Sequence, residues 1–181
     1  MNKFLTIVLT TALFAAPAFA QKMGGSNRNA PTLEQSITAG GAKMSLNYTS
    51  ITWGAGESMK SAMDKANGAG MRDHINGAAA KAPLGMFNTS VAVTCGDVKL
   101  EAGEYKVYFT ISDNCEWQIN FMGKDEKVAT MKLALTDNPQ ESKRLMLCLY
   151  AGETEGAGVY VAFGNKMGLL DIKAAKAAPA K

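Results

Sequence analysis

Between Phe87 and Met122 the chain reads FNTSVAVTCGDVKLEAGEYKVYFTISDNCEWQINFM, and large apolar residues return there at every second position. Val91 and Val93 share one parity, Tyr105, Val107, Phe109 and Ile111 form a second row, and Trp117, Ile119 and Phe121 a third. A period of two is the mark of strands buried on one face, so the stretch predicts three antiparallel strands whose rows meet in a core. Cys95-Gly96-Asp97, Glu101-Ala102-Gly103 and Ser112-Asp113-Asn114 lie between the rows and carry the small and polar residues that reversals need. Gly103 sits where the hairpin demands a positive φ, which costs a side-chain-bearing residue about 1–2 kcal/mol.

The same alternation extends outward in both directions. Leu33 to Thr38 suggests a short strand, and Ala42 to Trp53 a longer one whose apolar parity shifts from Met44, Leu46 and Tyr48 to Ile51 and Trp53. Such a shift predicts a bulge near Thr49 and Ser50. Downstream, Ala129 to Leu135 alternates up to the turn signal Thr136-Asp137-Asn138-Pro139. Arg144 to Tyr150 is nearly all apolar, which predicts a strand covered on both faces. Val159 to Phe163 and Leu169 to Ile172 read as two more strands, divided by Gly164-Asn165.

One segment breaks the pattern. From residue 57 to residue 80 the period lengthens toward three or four, with Met59, Met63 and Ala66 on one helical face. Asn67-Gly68-Ala69-Gly70 divides the segment into two short helices, and Pro83 closes it. The expected fold is mainly β: an antiparallel β-sandwich or partly closed barrel of about eight strands with a short helical insertion. The domain spans residues 33–173, between a flexible leader at 21–32 and a flexible tail at 174–181.

Residues 1–20 combine a basic start at Lys3, an apolar run from Phe4 to Ala15 and the small-residue ending Ala18-Phe19-Ala20. That is the layout of a secretory signal peptide, cleaved between Ala20 and Gln21 to leave a periplasmic or extracellular domain. No later apolar run reaches the length of about 20 residues that a membrane helix needs. A net charge of +3 over 181 residues implies no nucleic-acid partner. Three cysteines, Cys95, Cys115 and Cys148, permit at most one internal disulfide, and all three are equally readable as small buried hydrophobes.

The order of these pieces resembles a family of exported bacterial domains known only as domain-of-unknown-function family 2911. The residues that carry the resemblance are SLNYTSITWG, the block VKLEAGEYKVYFTI followed by EWQINF, and the ending GVYVAFGNKMGLLDIK. It implies a secreted β-rich domain. In that family the early strand is followed by an Arg-Pro pair and a Trp-Arg-Thr-Gly-Ala-Asn-Glu-like segment. This chain has Gly54-Ala55-Gly56, the insertion, and Ala82 to Asn88 instead, so the resemblance supplies no catalytic residue.

Several constellations invite chemistry. His74 is the only histidine, and a hydrolase-like enzyme would use it with a carboxylate such as Asp73 and a serine, yet no nucleophile-elbow signature occurs. Met59, Met63, Met71 and His74 fall within sixteen residues, and thioether and imidazole ligands suit Cu(I), the basis of a periplasmic copper-handling alternative. Ordinary apolar packing explains the same methionines. A zinc site from the three cysteines and His74 lacks the short paired spacings such sites use. Trp53, Tyr48, Tyr108 and Trp117 are candidate stacking aromatics for a ligand; by parity Trp117 belongs to the core row, while Tyr108 faces away from Val107 and Phe109 and is the better candidate. The sequence therefore favours a non-enzymatic module, without cofactor, that binds a small molecule, glycan or protein partner beside the helical insertion. Trp53, His74 and Tyr108 are its candidate contacts.

Overall fold

A computed structural model describes residues 29–52, 57–152 and 156–174. The expected signal peptide and cleavage site, most of the leader, Trp53 and the C-terminal tail lie outside the described residues.

Along the chain the elements are β1 (Thr32–Ala39), β2 (Ala42–Thr49), α1 (Glu57–Ala62), α2 (Ala69–Lys81), β3 (Gly85–Thr89), β4 (Val93–Cys95), β5 (Val98–Leu100), β6 (Gly103–Ile111), β7 (Trp117–Met122), β8 (Val128–Lys132), β9 (Leu135–Ala151) and β10 (Gly156–Ala174). Six strands form one sheet in the order β1-β2-β3-β6-β7-β8, and four form a second in the order β5-β4-β10-β9. Every pairing is antiparallel. The sheets stay separate and share one apolar core, so the architecture is a β-sandwich and not a closed barrel.

That core is built from the rows the alternation marks. Val107 and Phe109 of β6 and Ile119 and Phe121 of β7 face Leu145, Leu147 and Leu149 of β9 and Val159 and Val161 of β10 in a single cluster. Phe87 and Phe121 meet edge to face, with ring centroids 5.7 Å apart, an arrangement favoured by the aromatic quadrupoles. Ile111 continues the β6 row but packs on Met59 and Ala62 of α1, together with Met71, Ile75 and Trp117. The helical pair thus closes one end of the sandwich interior.

Four expectations are corrected. The stretch from Phe87 to Met122 holds more than three strands, because the chain leaves the first sheet after Thr89 for the β4–β5 hairpin of the second sheet and returns at Gly103. The parity shift after Tyr48 is a change of sheet and not a bulge within a strand: Ser50 and Ile51 leave β2 and bond to Leu145 of β9. Thr136 to Pro139 and Gly164-Asn165 do not end strands. They are absorbed into the long β9 and β10, whose register slips between Ala162 and Gly164 and again between Gly164 and Lys166. Finally, β9 is not covered on both faces, since Leu145, Leu147 and Leu149 are buried while Met146 and Cys148 are exposed.

Two strand edges without a strand partner are closed by side chains. On β9, the Leu147 carbonyl accepts from Gln35 Nε2 at 2.6 Å and the Leu149 N–H donates to Gln35 Oε1 at 2.7 Å. The Leu147 N–H donates to the Tyr48 hydroxyl, the Leu145 carbonyl accepts from Ser50 Oγ, and the Leu145 N–H donates to the Ile51 carbonyl. At the end of β6, beyond the reach of β3, Asn76 of α2 uses its amide in the same way: Nδ2 donates to the Ile111 carbonyl and Oδ1 accepts from the Ile111 N–H, both at 2.9 Å. Each amide supplies one donor and one acceptor, as a neighbouring strand would.

Candidate functional site

The register slips in the β9–β10 pair have a consequence inside the sandwich. Bulges bend a strand and raise its local twist, and beside them the two sheets leave a small, partly open cavity of about 50 Å3. Phe109 and Trp117 form its wall on the six-stranded sheet, Leu145, Val161 and Phe163 its wall on the other, and Leu133 and Leu135 the side where the chain crosses between sheets. Trp117 also packs against the helical cluster, so the cavity lies at the end of the sandwich closed by α1 and α2.

Asn165 and Lys166 complete the lining and are its exposed polar members. Lys166 Nζ pairs with Asp137 Oδ1 at 2.5 Å across the β9–β10 ladder. The hydrogen bond from Lys166 holds the Asp137 carboxyl below its ordinary range. The site therefore offers an aliphatic and aromatic interior with a cation and an amide among its lining residues, which is the usual composition of a small-molecule pocket.

A second cluster lies behind the helices. Arg72 of α2 is 4 % exposed, and its Nη1 donates to the carbonyls of Ala62 and Asp64, both at 2.9 Å, and to Cys115 Sγ at 3.4 Å. The two carbonyls lie at the C-terminal end of α1, where the helix dipole favours a cation. Close approach here depends on Gly68: a β-carbon at that position would fall 2.3 Å from the Ser61 carbonyl oxygen and 2.8 Å from Arg72 Nη1. Among the described residues Arg72 has no carboxylate at ion-pair distance, and its Nε–H has no hydrogen-bond partner. The nearby Asp64 carboxylate is turned to the N–H groups of Ala66 and Asn67, which hold its pKa down.

The residues singled out from the sequence are dispersed. His74 is exposed on α2 and makes no hydrogen bond to another described residue. Met59 and Met71 pack with Ala62 and Ile111, whereas Met63 is exposed. Tyr108 does face away from Val107, but it is 5 % exposed, and burial raises its phenol pKa. Across the ladder from it Asn120 is also buried, donating to Thr110 Oγ1 and accepting from Thr130 Oγ1. The outward face of β6, β7 and β8 is thus a satisfied polar ladder at that point. No disulfide joins the cysteines: Cys95 is buried, Cys115 half-buried and Cys148 exposed. Burial pushes the Cys95 thiol up to about 12. Among the described residues no three His, Cys, Asp or Glu side chains are grouped to hold a metal.

The residues that matter most here were missed or assigned elsewhere by the sequence reading. Trp117 belongs to a core row yet lines the cavity, and the signal available was its place at the start of that row, where packing partners run out. Arg72 carries no sequence signal of burial, because an arginine among polar helical residues reads as solvated. None of the described helices is long and apolar enough to cross a membrane. Comparison of the chain with protein-family models, with curated proteins and with solved structures gave no match.

Proposed function

We propose that the protein is a non-enzymatic binding module that takes a compact, largely apolar small molecule into the cavity between its sheets. The observation that carries this reading is the small, partly open cavity of about 50 Å3 walled by Phe109, Trp117, Leu145, Val161 and Phe163, with Lys166 among its lining residues. Drug-sized ligands need pockets of about 300–1,000 Å3, so the occupant that fits this space is a small apolar group or chain end. Saccharides need a row of donors and acceptors, which this lining lacks, so an apolar body with one anionic or polar group is the better complement than a glycan. His74 is solvent-exposed and, among the described residues, has no acid or hydroxyl bonded to it, which favours binding over hydrolysis.

The test is a thermal-shift screen with short fatty acids, aromatic acids and neutral hydrocarbons, using the Val161→Trp variant as a filled-cavity control. A ligand at about 100 times its Kd adds about 2.7 kcal/mol to the native state. Protection should favour the acids and vanish in Val161→Trp. Equal protection of that variant, or protection by none of the three classes, would overturn the reading.

We further infer that the domain is exported, and that the family resemblance reflects a secreted β domain. The support is Lys3, the apolar run to Ala15 and the Ala18-Phe19-Ala20 ending. N-terminal sequencing of the protein from its native host should begin at Gln21, and a chain beginning at Met1 would refute export.

A further inference from the structure

The cavity does not involve Cys115, and the surroundings of that sulfur point to a separate chemistry. Sγ lies 3.4 Å from Arg72 Nη1 and 3.8 Å from the Ala62 carbonyl, in the turn that joins β6 to β7. That turn is held by the Ser112 N–H on the Glu116 carbonyl, the Cys115 N–H on the Ser112 carbonyl, and the Glu116 N–H on Ser112 Oγ. Arg72 is the independent observation. A buried guanidinium ordinarily has an anion beside it, because an unpaired charge away from water is costly. This one is 4 % exposed; among the described residues the Asp64 carboxylate feels its charge but lies beyond ion-pair distance, and its Nε–H has no partner. Among the described residues, the one side chain it bonds to is Cys115. Cys115 as a residue is half-buried, in a turn and not in the core.

We propose that Cys115 is a modification site, oxidised by small hydroperoxides to a sulfenic acid whose anion Arg72 receives. Sγ attacks the outer oxygen of the hydroperoxide and the O–O bond breaks. An S–O bond forms, and the departing oxygen leaves with the thiol proton as water or an alcohol. Sulfur is oxidised by two electrons and the peroxide is reduced by two, giving Cys–SOH from Cys–SH. Arg72 acts as a positioning residue: it fixes the sulfur and supplies the cation that the sulfenate needs. Cys148 is more exposed but among the described residues no arginine or lysine bonds to it, and Cys95 is enclosed in the core, so the fold itself provides the comparison.

The experiment treats the reduced, full-length protein with hydrogen peroxide in the presence of dimedone, which traps sulfenic acids, and reads the label at each cysteine by peptide mass spectrometry. Cys115 should carry about tenfold more label than Cys148, the reverse of their order of exposure, since reactive cysteines are those beside cations. Label that follows exposure, with Cys148 ahead, would overturn the proposal. Arg72→Lys should keep part of the preference and Arg72→Gln should remove it; an unchanged preference in Arg72→Gln would overturn the role of the guanidinium. Because a change at buried Arg72 can unfold the chain, the wild type is also labelled in urea. There the two cysteines should become equal, and a preference that survives unfolding would place its cause in the local sequence and refute the site.

Discussion

The edge of β9 and the end of β6 face the same problem, backbone groups with no strand to meet them, and solve it to different depths. On β9 three alternate residues, Leu145, Leu147 and Leu149, are satisfied from β1, β2 and the segment after β2, all by partners far away in sequence. On β6 a single amide, Asn76, holds Ile111 to a short helix. The first arrangement ties one sheet to the other along a corner. The second ties down the helical pair, and near that end lie the cavity, the orphaned Nε of Arg72 and the half-buried thiol. Closing an edge with many long-range partners makes a rigid corner, and closing it with one leaves an end where binding and chemistry have room.

Alkaline unfolding separates the two regions most strongly. Burial raises the Tyr48 hydroxyl and carries the Cys95 thiol from 9.0 to about 12, and both lie in the core shared by the sheets. The native state therefore holds these protons more tightly than the unfolded chain does. Stability from Cys95 is intact below pH 9 and falls as pH climbs from 9 to about 12. The loss approaches about 4 kcal/mol at the top of that range. Urea midpoints measured across it should fall steeply for the wild type and less steeply for Cys95→Ala, whatever the variant's stability at neutral pH. Parallel curves would remove the buried thiol from the account.

Smaller effects sharpen the contrast. Gln35→Ala strips partners from one carbonyl and one N–H of β9 and should cost about 2–3 kcal/mol in urea unfolding, because unsatisfied backbone groups lose their full desolvation energy. Asn76→Ala should cost about 1–2 kcal/mol, with faster amide exchange confined to Ile111 and α2. If exchange quickened across both sheets, the helical end would be as integral as the corner and the contrast would fail. Gly103→Val lies in neither region. Gly103 has φ +151° with open space around a would-be β-carbon, so the penalty is backbone strain alone, about 1 kcal/mol, seen as a small drop in Tm.

What the sequence could and could not disclose follows from the range of each interaction. Period-two rows such as Val107-Phe109 and Ile119-Phe121 are local and mark the core directly, and the positive φ of Gly103 follows from its turn. Sheet membership is not local. Nothing between Thr89 and Gly103 announces that β4 pairs with β5 and β10 and not with β3. Pro139 and Gly164 are strong turn signals, yet bulges in β9 and β10 accommodate both. The cavity was only half legible: its walls are core residues, and the space lies beside a register slip between distant strands. Arg72 was illegible because its burial depends on Gly68 letting two backbones approach.

The placement of β10 carries one more implication. It lies between β4 and β9, yet it is made after every other described strand, so during synthesis the smaller sheet waits with its middle position vacant. Until Gly156 to Ala174 arrive, β4 and β5 have no neighbour to complete them and the inner face of the larger sheet lacks much of its cover. Assembly therefore waits for β10, and a ribosome that stops before Gly156 releases a chain unable to hide its greasy interior.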